Sequence, residues 1–155
     1  TDIDDKIINK AQAEKISFEQ VARTYELAFI EDMIALGVTP PLNYSRVTDH
    51  VAQITQFIQV LVDKNYAYVG DDGVYFDIAN FGDARYGKLA PSAAVVAQLP
   101  ELVDGEEKLR NKKDKRDFAL WKFTKHDYEP KYTSPWGNGR PGWHIECPAM
   151  ISYVN

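Results

Sequence analysis

The stretch from Ser134 to Met150 restricts this chain more than any other: Ser-Pro-Trp-Gly-Asn-Gly-Arg-Pro-Gly-Trp-His-Ile-Glu-Cys-Pro-Ala-Met. Proline fixes φ and glycine frees it, so their alternation from Pro135 to Gly142 predicts a shaped loop, neither helix nor strand. From Trp143 the breakers thin out and a short helix can start, with His144 and Cys147 three apart on one face. Pro148 suits the first turn of a helix that begins near Cys147 and would interrupt one begun at Trp143. Taken singly, these residues have ordinary readings. A lone cysteine is a small buried hydrophobe, a histidine near a helix start bonds at the surface, and a tryptophan after a turn packs. Zinc takes four ligands, and His144 with Cys147 supplies two at most, so a metal here would draw most of its ligands from elsewhere.

The chain of 155 residues is long enough for one domain, or one domain and part of another. With 45% hydrophobic and 26% charged residues it can bury a core under an ordinary polar surface. The net charge of −5 gives no broad attraction for nucleic acid, so any such contact must be a local basic patch. A single cysteine forms no internal disulfide, which suits a reducing cytoplasm. No apolar run approaches the roughly 20 residues of a membrane span, and no signal peptide is recognisable. The chain opens on Thr1 without methionine and closes on Asn155 without a terminal signal, so both ends are expected to be cuts through a longer protein.

Local signals divide the rest. Asp4 and Asp5 precede Lys6-Ile-Ile and predict a capped helix to Glu14, although two adjacent carboxylates also suit a divalent cation. Ser17-Phe-Glu-Gln20 is a capping box, and a helix is expected from Phe18 to Leu36, ended by Gly37, with Phe18, Tyr25 and Phe29 as a core stripe. After the extended connector around Pro40-Pro41, Thr48 is placed as the cap of a helix from Asp49 to Lys64, the second arm of an antiparallel helical hairpin. His50 is read as a structural hydrogen-bonding group. Tyr66 to Asp77, with Gly70-Asp-Asp-Gly73 between two β-rich runs, predicts a hairpin. A Ser92-capped short helix and a charged loop over Asp104 to Arg116 follow. That loop carries Lys108, Arg110, Lys112, Lys113, Lys115 and Arg116, the best basic patch available. Asp117 to Lys122 is a buried strand or a turn of helix leading to the final segment.

Ser134 to Cys147, read as a whole, closely resembles the segment of cysteinyl-tRNA synthetases that carries a zinc-binding cysteine to the amino-acid pocket. Thr1-Asp-Ile-Asp-Asp-Lys-Ile-Ile, Arg46-x-Thr48-x-His50, Tyr86-Gly-Lys-Leu and Asp117-Phe-Ala-Leu-Trp-Lys are similar to the same family. The likeness runs from Thr1 through Met150. It departs at Ser45, where relatives often have proline, and at Pro148, where they commonly have serine. The family's His-Ile-Gly-His-type and Lys-Met-Ser-Lys-Ser-type ATP motifs are not in this sequence, so the chain alone is not expected to activate cysteine.

The resemblance implies an α/β fold: part of a class I synthetase Rossmann-type catalytic domain with an inserted connective domain, the helical hairpin plus a small β-sheet. Residues 1–14 would be the edge of the catalytic domain, 15–116 the insertion, and 117–155 the return with the zinc and cysteine-pocket segment. It implies a ligase, working as a cytoplasmic monomer, that uses ATP, with magnesium, to make cysteinyl-adenylate and then loads tRNA(Cys). It also implies zinc bound by Cys147, with the other ligands outside this chain. Trp143 would wall the cysteine pocket and Thr1 would lie beside it. It assigns no role to His144 or Glu146. Two other readings stay open: the related ligase that joins cysteine to an amino sugar in mycothiol synthesis, and a non-catalytic RNA- or protein-binding module.

Overall fold

A computed structural model describes residues 1–82, 85–88 and 112–153. The Ser92 helix, Leu89, Lys108 and Arg110 lie outside the described residues. Helix α1 spans Asp5–Glu14, capped by the Asp4 side chain, which accepts from the Lys6 amide. Helix α2 spans Phe18–Ala35. Its capping box forms in both directions, Gln20 N–H to Ser17 Oγ at 3.2 Å and Ser17 N–H to Gln20 Oε1 at 3.0 Å. Gly37 then turns left-handed, at φ 73°, while the Val38 amide reaches back to the Met33 carbonyl.

Three helical expectations are corrected. A 3-10 turn, Val47–His50, precedes α3 at Val51–Asp63, and Thr48 does not cap it. The Thr48 hydroxyl instead donates to Asp2 at 2.6 Å. The α2–α3 hairpin does not form: α2 packs on α1, while α3 packs on the sheet and on the last helix. The apolar face of α3, with Val51, Ile54 and Ile58 buried, is used up there and leaves none for α2. The aromatic stripe of α2 is not core. Phe18 is half-buried, but Tyr25 and Phe29 are 55% and 51% exposed, because α2 buries only Val21 and Ala22 near its start.

Strands β1 (Ala67–Val69) and β2 (Gly73–Phe76) form the expected hairpin, and the one-turn helix α4 (Ile78–Phe81) follows. Residues 118–123 are a strand, β3 (Phe118–Phe123), and Gly139–Pro141 is β4. The loop expected over Pro135 to Gly142 therefore ends in a short edge strand. The sheet runs β1-β2-β3-β4, antiparallel throughout. No parallel strand pair of a Rossmann-type sheet occurs among the described residues. The sheet also joins strands from either side of position 117. Its core side packs Val74, Phe76, Leu120 and Trp121 against Ile54, Ile58, Ile145 and Ala149.

The last helix, α5, spans Trp143–Tyr153 and runs through Pro148 rather than starting after it. Pro148 has no amide to give the His144 carbonyl. Both residues are exposed, so water can serve that carbonyl. Two acids near the chain start are held by distant cations. Asp2 is buried and accepts from the Val47 and Thr48 amides at 2.8 and 3.2 Å and from Arg23 at 2.6 Å. Asp5 bonds Lys122 at 2.8 Å and the buried Arg140, which also meets Glu129 at 3.1 Å. Asp4 and Asp5 thus serve as a cap and an ion-pair member rather than as paired cation ligands.

Two outcomes follow from this packing. A Cβ at Gly142 would collide with the Ala119 carbonyl, so Gly142→Ala should lower stability by about 1–3 kcal/mol, read from chemical denaturation. Burial raises the Asp2 and Asp5 carboxyls, but the Thr48 bonds and Arg23 on one, and Lys122 and Arg140 on the other, outweigh it and hold both below 3.8. A carboxyl depressed in the folded state stabilises above its unfolded value and loses that contribution as pH falls through its folded one. Stability should therefore decline as pH drops below 3.8, and Asp2→Asn with Asp5→Asn should flatten that acid limb.

Candidate functional site

The helix α5 starts where β4 ends, and its first two turns carry both outward and inward chemistry. Trp143, 58% exposed, and Cys147, four residues on, share the solvent face. The cysteine is therefore no core hydrophobe. His144 is held by rings rather than by Cys147: its ring lies 5.1 Å from Phe118, edge to face, and 5.2 Å from Trp143. Ile145, Glu146 and Ala149 make the inner face.

Glu146 is 3% exposed. Burial pushes its carboxyl up to about 7, and the Thr1 hydroxyl, which donates to Oε1 at 3.2 Å, offsets this only in part. That bond joins residues 145 positions apart and brings Thr1 to the helical turn that runs from Trp143 to Cys147. Thr1 itself is exposed. A cleft of about 30 Å³ opens beside Trp143, lined by Ile3, Asp4, Asp5, Lys122, Arg140 and Pro141, with room for little more than water.

Two further clusters lie away from this helix. Asp117, 1% exposed, accepts from the Ile78 and Asp114 amides at 3.0 and 3.1 Å and from the Tyr68 hydroxyl at 2.9 Å. Burial, with Asp117 adding to it, pushes the Tyr68 phenol up to about 12. In the charged loop, Lys113 reaches Asp77 at 3.5 Å and sits 4.2 Å over the Tyr68 ring, and Arg116 pairs with Asp114 at 2.9 Å. Part of the expected basic patch is thus engaged within the fold. His50 donates from Nδ1–H to the Arg46 carbonyl at 2.7 Å, in keeping with a structural histidine.

Sequence reading singled out Thr1, Trp143 and Cys147 but left Glu146, Asp2 and Arg140 without a function. A signal for Glu146 existed: it shares helical spacing with Ala149, three residues on, which sets it on the inward face. The partners of Asp2 and Arg140 have no such local signal. Among the described residues no three histidines, cysteines or acids cluster as a metal site would need, so Cys147 fits zinc only as one donor among ligands from elsewhere. No helix among the described residues is long and apolar enough to cross a membrane.

Residues 1–154 match the family described as tRNA synthetases class I (C) catalytic domain. A cysteine--tRNA ligase of Methanococcus aeolicus is 47% identical over 151 residues, 97% of this chain and 30% of the relative. The enzyme of the same name from Thermococcus onnurineus is 49% identical over 152 residues, again 97% of this chain and 30% of the relative. A probable mitochondrial cysteine--tRNA ligase of Xenopus tropicalis is 48% identical over 155 residues, 99% of this chain and 26% of the relative. The chain thus spans less than a third of the length of these relatives. A family match over 154 residues and near-half identity along almost the whole chain establish that it belongs to the class I (C) tRNA synthetase catalytic-domain family.

Proposed function

We propose that this chain is the part of a cysteine--tRNA ligase that forms one wall of the cysteine pocket. The bond between Thr1 and Glu146 carries the reading, because it draws the chain start to the helical turn that presents Trp143 and Cys147. In this reading residues 15–116 belong to the inserted connective domain and 117–155 return the chain to the pocket. The full-length enzyme would join cysteine to ATP as cysteinyl-adenylate, release pyrophosphate, and pass the acyl group to tRNA(Cys).

Each residue has a physical task. The Trp143 ring offers an exposed apolar face on which a small side chain can rest. Thr1 offers a hydroxyl at the pocket edge. Cys147 offers a solvent-facing thiol, one donor of a zinc site completed by ligands outside this chain. Zinc, when bound, supplies a soft centre that rewards the substrate's sulfur over the oxygen of serine.

Cysteine-dependent ATP–pyrophosphate exchange by the full-length protein tests the reaction, and its absence would overturn the reading. Cys147→Ser keeps the size but exchanges a soft thiolate for a hydroxyl. It should lower zinc content and raise the KM for cysteine more than that for ATP. Full zinc occupancy with normal cysteine binding would leave Cys147 a surface thiol without a role in the pocket.

A further inference from the structure

Glu146 is an acid that the pocket reading leaves without a task. Its side chain is nearly sealed from solvent, and the Thr1 hydroxyl bonds it. Burying a carboxylate on so little hydrogen bonding is unfavourable, and an apolar side chain of similar volume would pack the same space at lower cost. Packing alone therefore gives no reason for an acid here.

The geometry around Thr1 supplies one. The next residue, Asp2, is fixed by the Val47 and Thr48 amides, the Thr48 hydroxyl and Arg23, so the backbone cannot drift. What remains adjustable is the Thr1 hydroxyl. Its single proton has two acceptors, the Ile3 carbonyl at 2.9 Å and Glu146 Oε1 at 3.2 Å, while its oxygen accepts from the Ile3 amide at 3.2 Å. The carboxylate is the only one of these groups that belongs to α5. It is also flanked on that helix by Trp143 and Cys147, so any shift between Thr1 and the helix moves Thr1 relative to both.

We infer that Glu146 is a positioning residue: its carboxyl group orients the Thr1 hydroxyl beside the turn that bears Trp143 and Cys147. The inference rests on the pocket reading above and deepens it. Glu146 need not touch cysteine. It acts through Thr1, so the two side chains must behave as one unit.

The test is a double-mutant cycle in the full-length enzyme, read by cysteine-dependent ATP–pyrophosphate exchange. Glu146→Leu should raise the KM for cysteine about tenfold, the size of one buried hydrogen bond, and leave the KM for ATP nearly unchanged. Glu146→Gln, whose amide oxygen can accept the same bond, should recover most of the loss. Thr1→Val should match Glu146→Leu, and the double variant should be no worse than Thr1→Val alone. If Glu146→Leu fails to fold, Glu146→Asp keeps an acid but withdraws it from Thr1, and it should show the same selective rise. An unchanged KM for cysteine in both Glu146→Asp and the folded leucine variant, or additive losses in the double variant, would overturn the inference while leaving the pocket reading intact. Wild-type enzyme with no cysteine-dependent exchange would overturn both.

Discussion

At Gly142 the chain passes so close to the Ala119 carbonyl that no side chain fits between them, and the Gly142 amide bonds the Leu120 carbonyl at 2.8 Å. This contact lays the end of β4 flat on β3 and launches α5 from the edge of the sheet. Gly139 repeats the device, since a Cβ there would strike the Lys122 carbonyl and the Trp121 ring. Trp121 is fully buried, and its indole Nε1 has no hydrogen-bond partner among the described residues. Its ring instead meets Trp136 edge to face at 6.2 Å. The direction in which Trp143 and Cys147 face is thus set by two glycines that let backbone approach backbone.

The chain start reaches the same region by electrostatics. Arg140 is buried between Asp5 and Glu129, and Asp2 between Arg23 and the 3-10 turn. Compared with apolar residues of the same volume, half-buried pairs like these add little net stability, because the charges give up water to meet. Their effect is on geometry: a carboxylate with several donors around it has few orientations left. Glu26 extends the Asp2 cluster, pairing with Arg23 and with Arg46 at 2.8 Å, and so fastens α2 to the connector before α3. The result is that Thr1 approaches α5 from a fixed direction.

Helix α2 shows the limit of pattern reading. Its capping box and its glycine stop are local chemistry, and both form as the sequence predicts. Its aromatic residues follow helical spacing too, yet Tyr25 lies at the surface with Lys10 5.6 Å over its ring. Periodicity tells which residues share a face, but whether that face meets a partner depends on what else competes for the core. Here α3 takes that place with Ile54 and Ile58. Pro148 teaches the converse, since a residue that should break a helix is tolerated on the exposed side of α5.

The sequence by itself determined what neighbours in the chain can decide. Asp4, Ser17 and Gln20 fix helix starts, Gly37 a helix stop, and Gly70 to Gly73 the β1–β2 turn, because each acts through bonds within a few residues. The residue order from Ser134 to Cys147 pointed to a family, and through it to Thr1, Trp143 and Cys147. Only the tertiary structure decided that Thr48 serves Asp2 instead of its own helix, that Arg140 lies between Asp5 and Glu129, and that the partner of Glu146 is Thr1. Those partners lie up to 145 residues apart, and no local propensity encodes a bond across that distance. It is fixed by how the sheet, α3 and α5 close over one core.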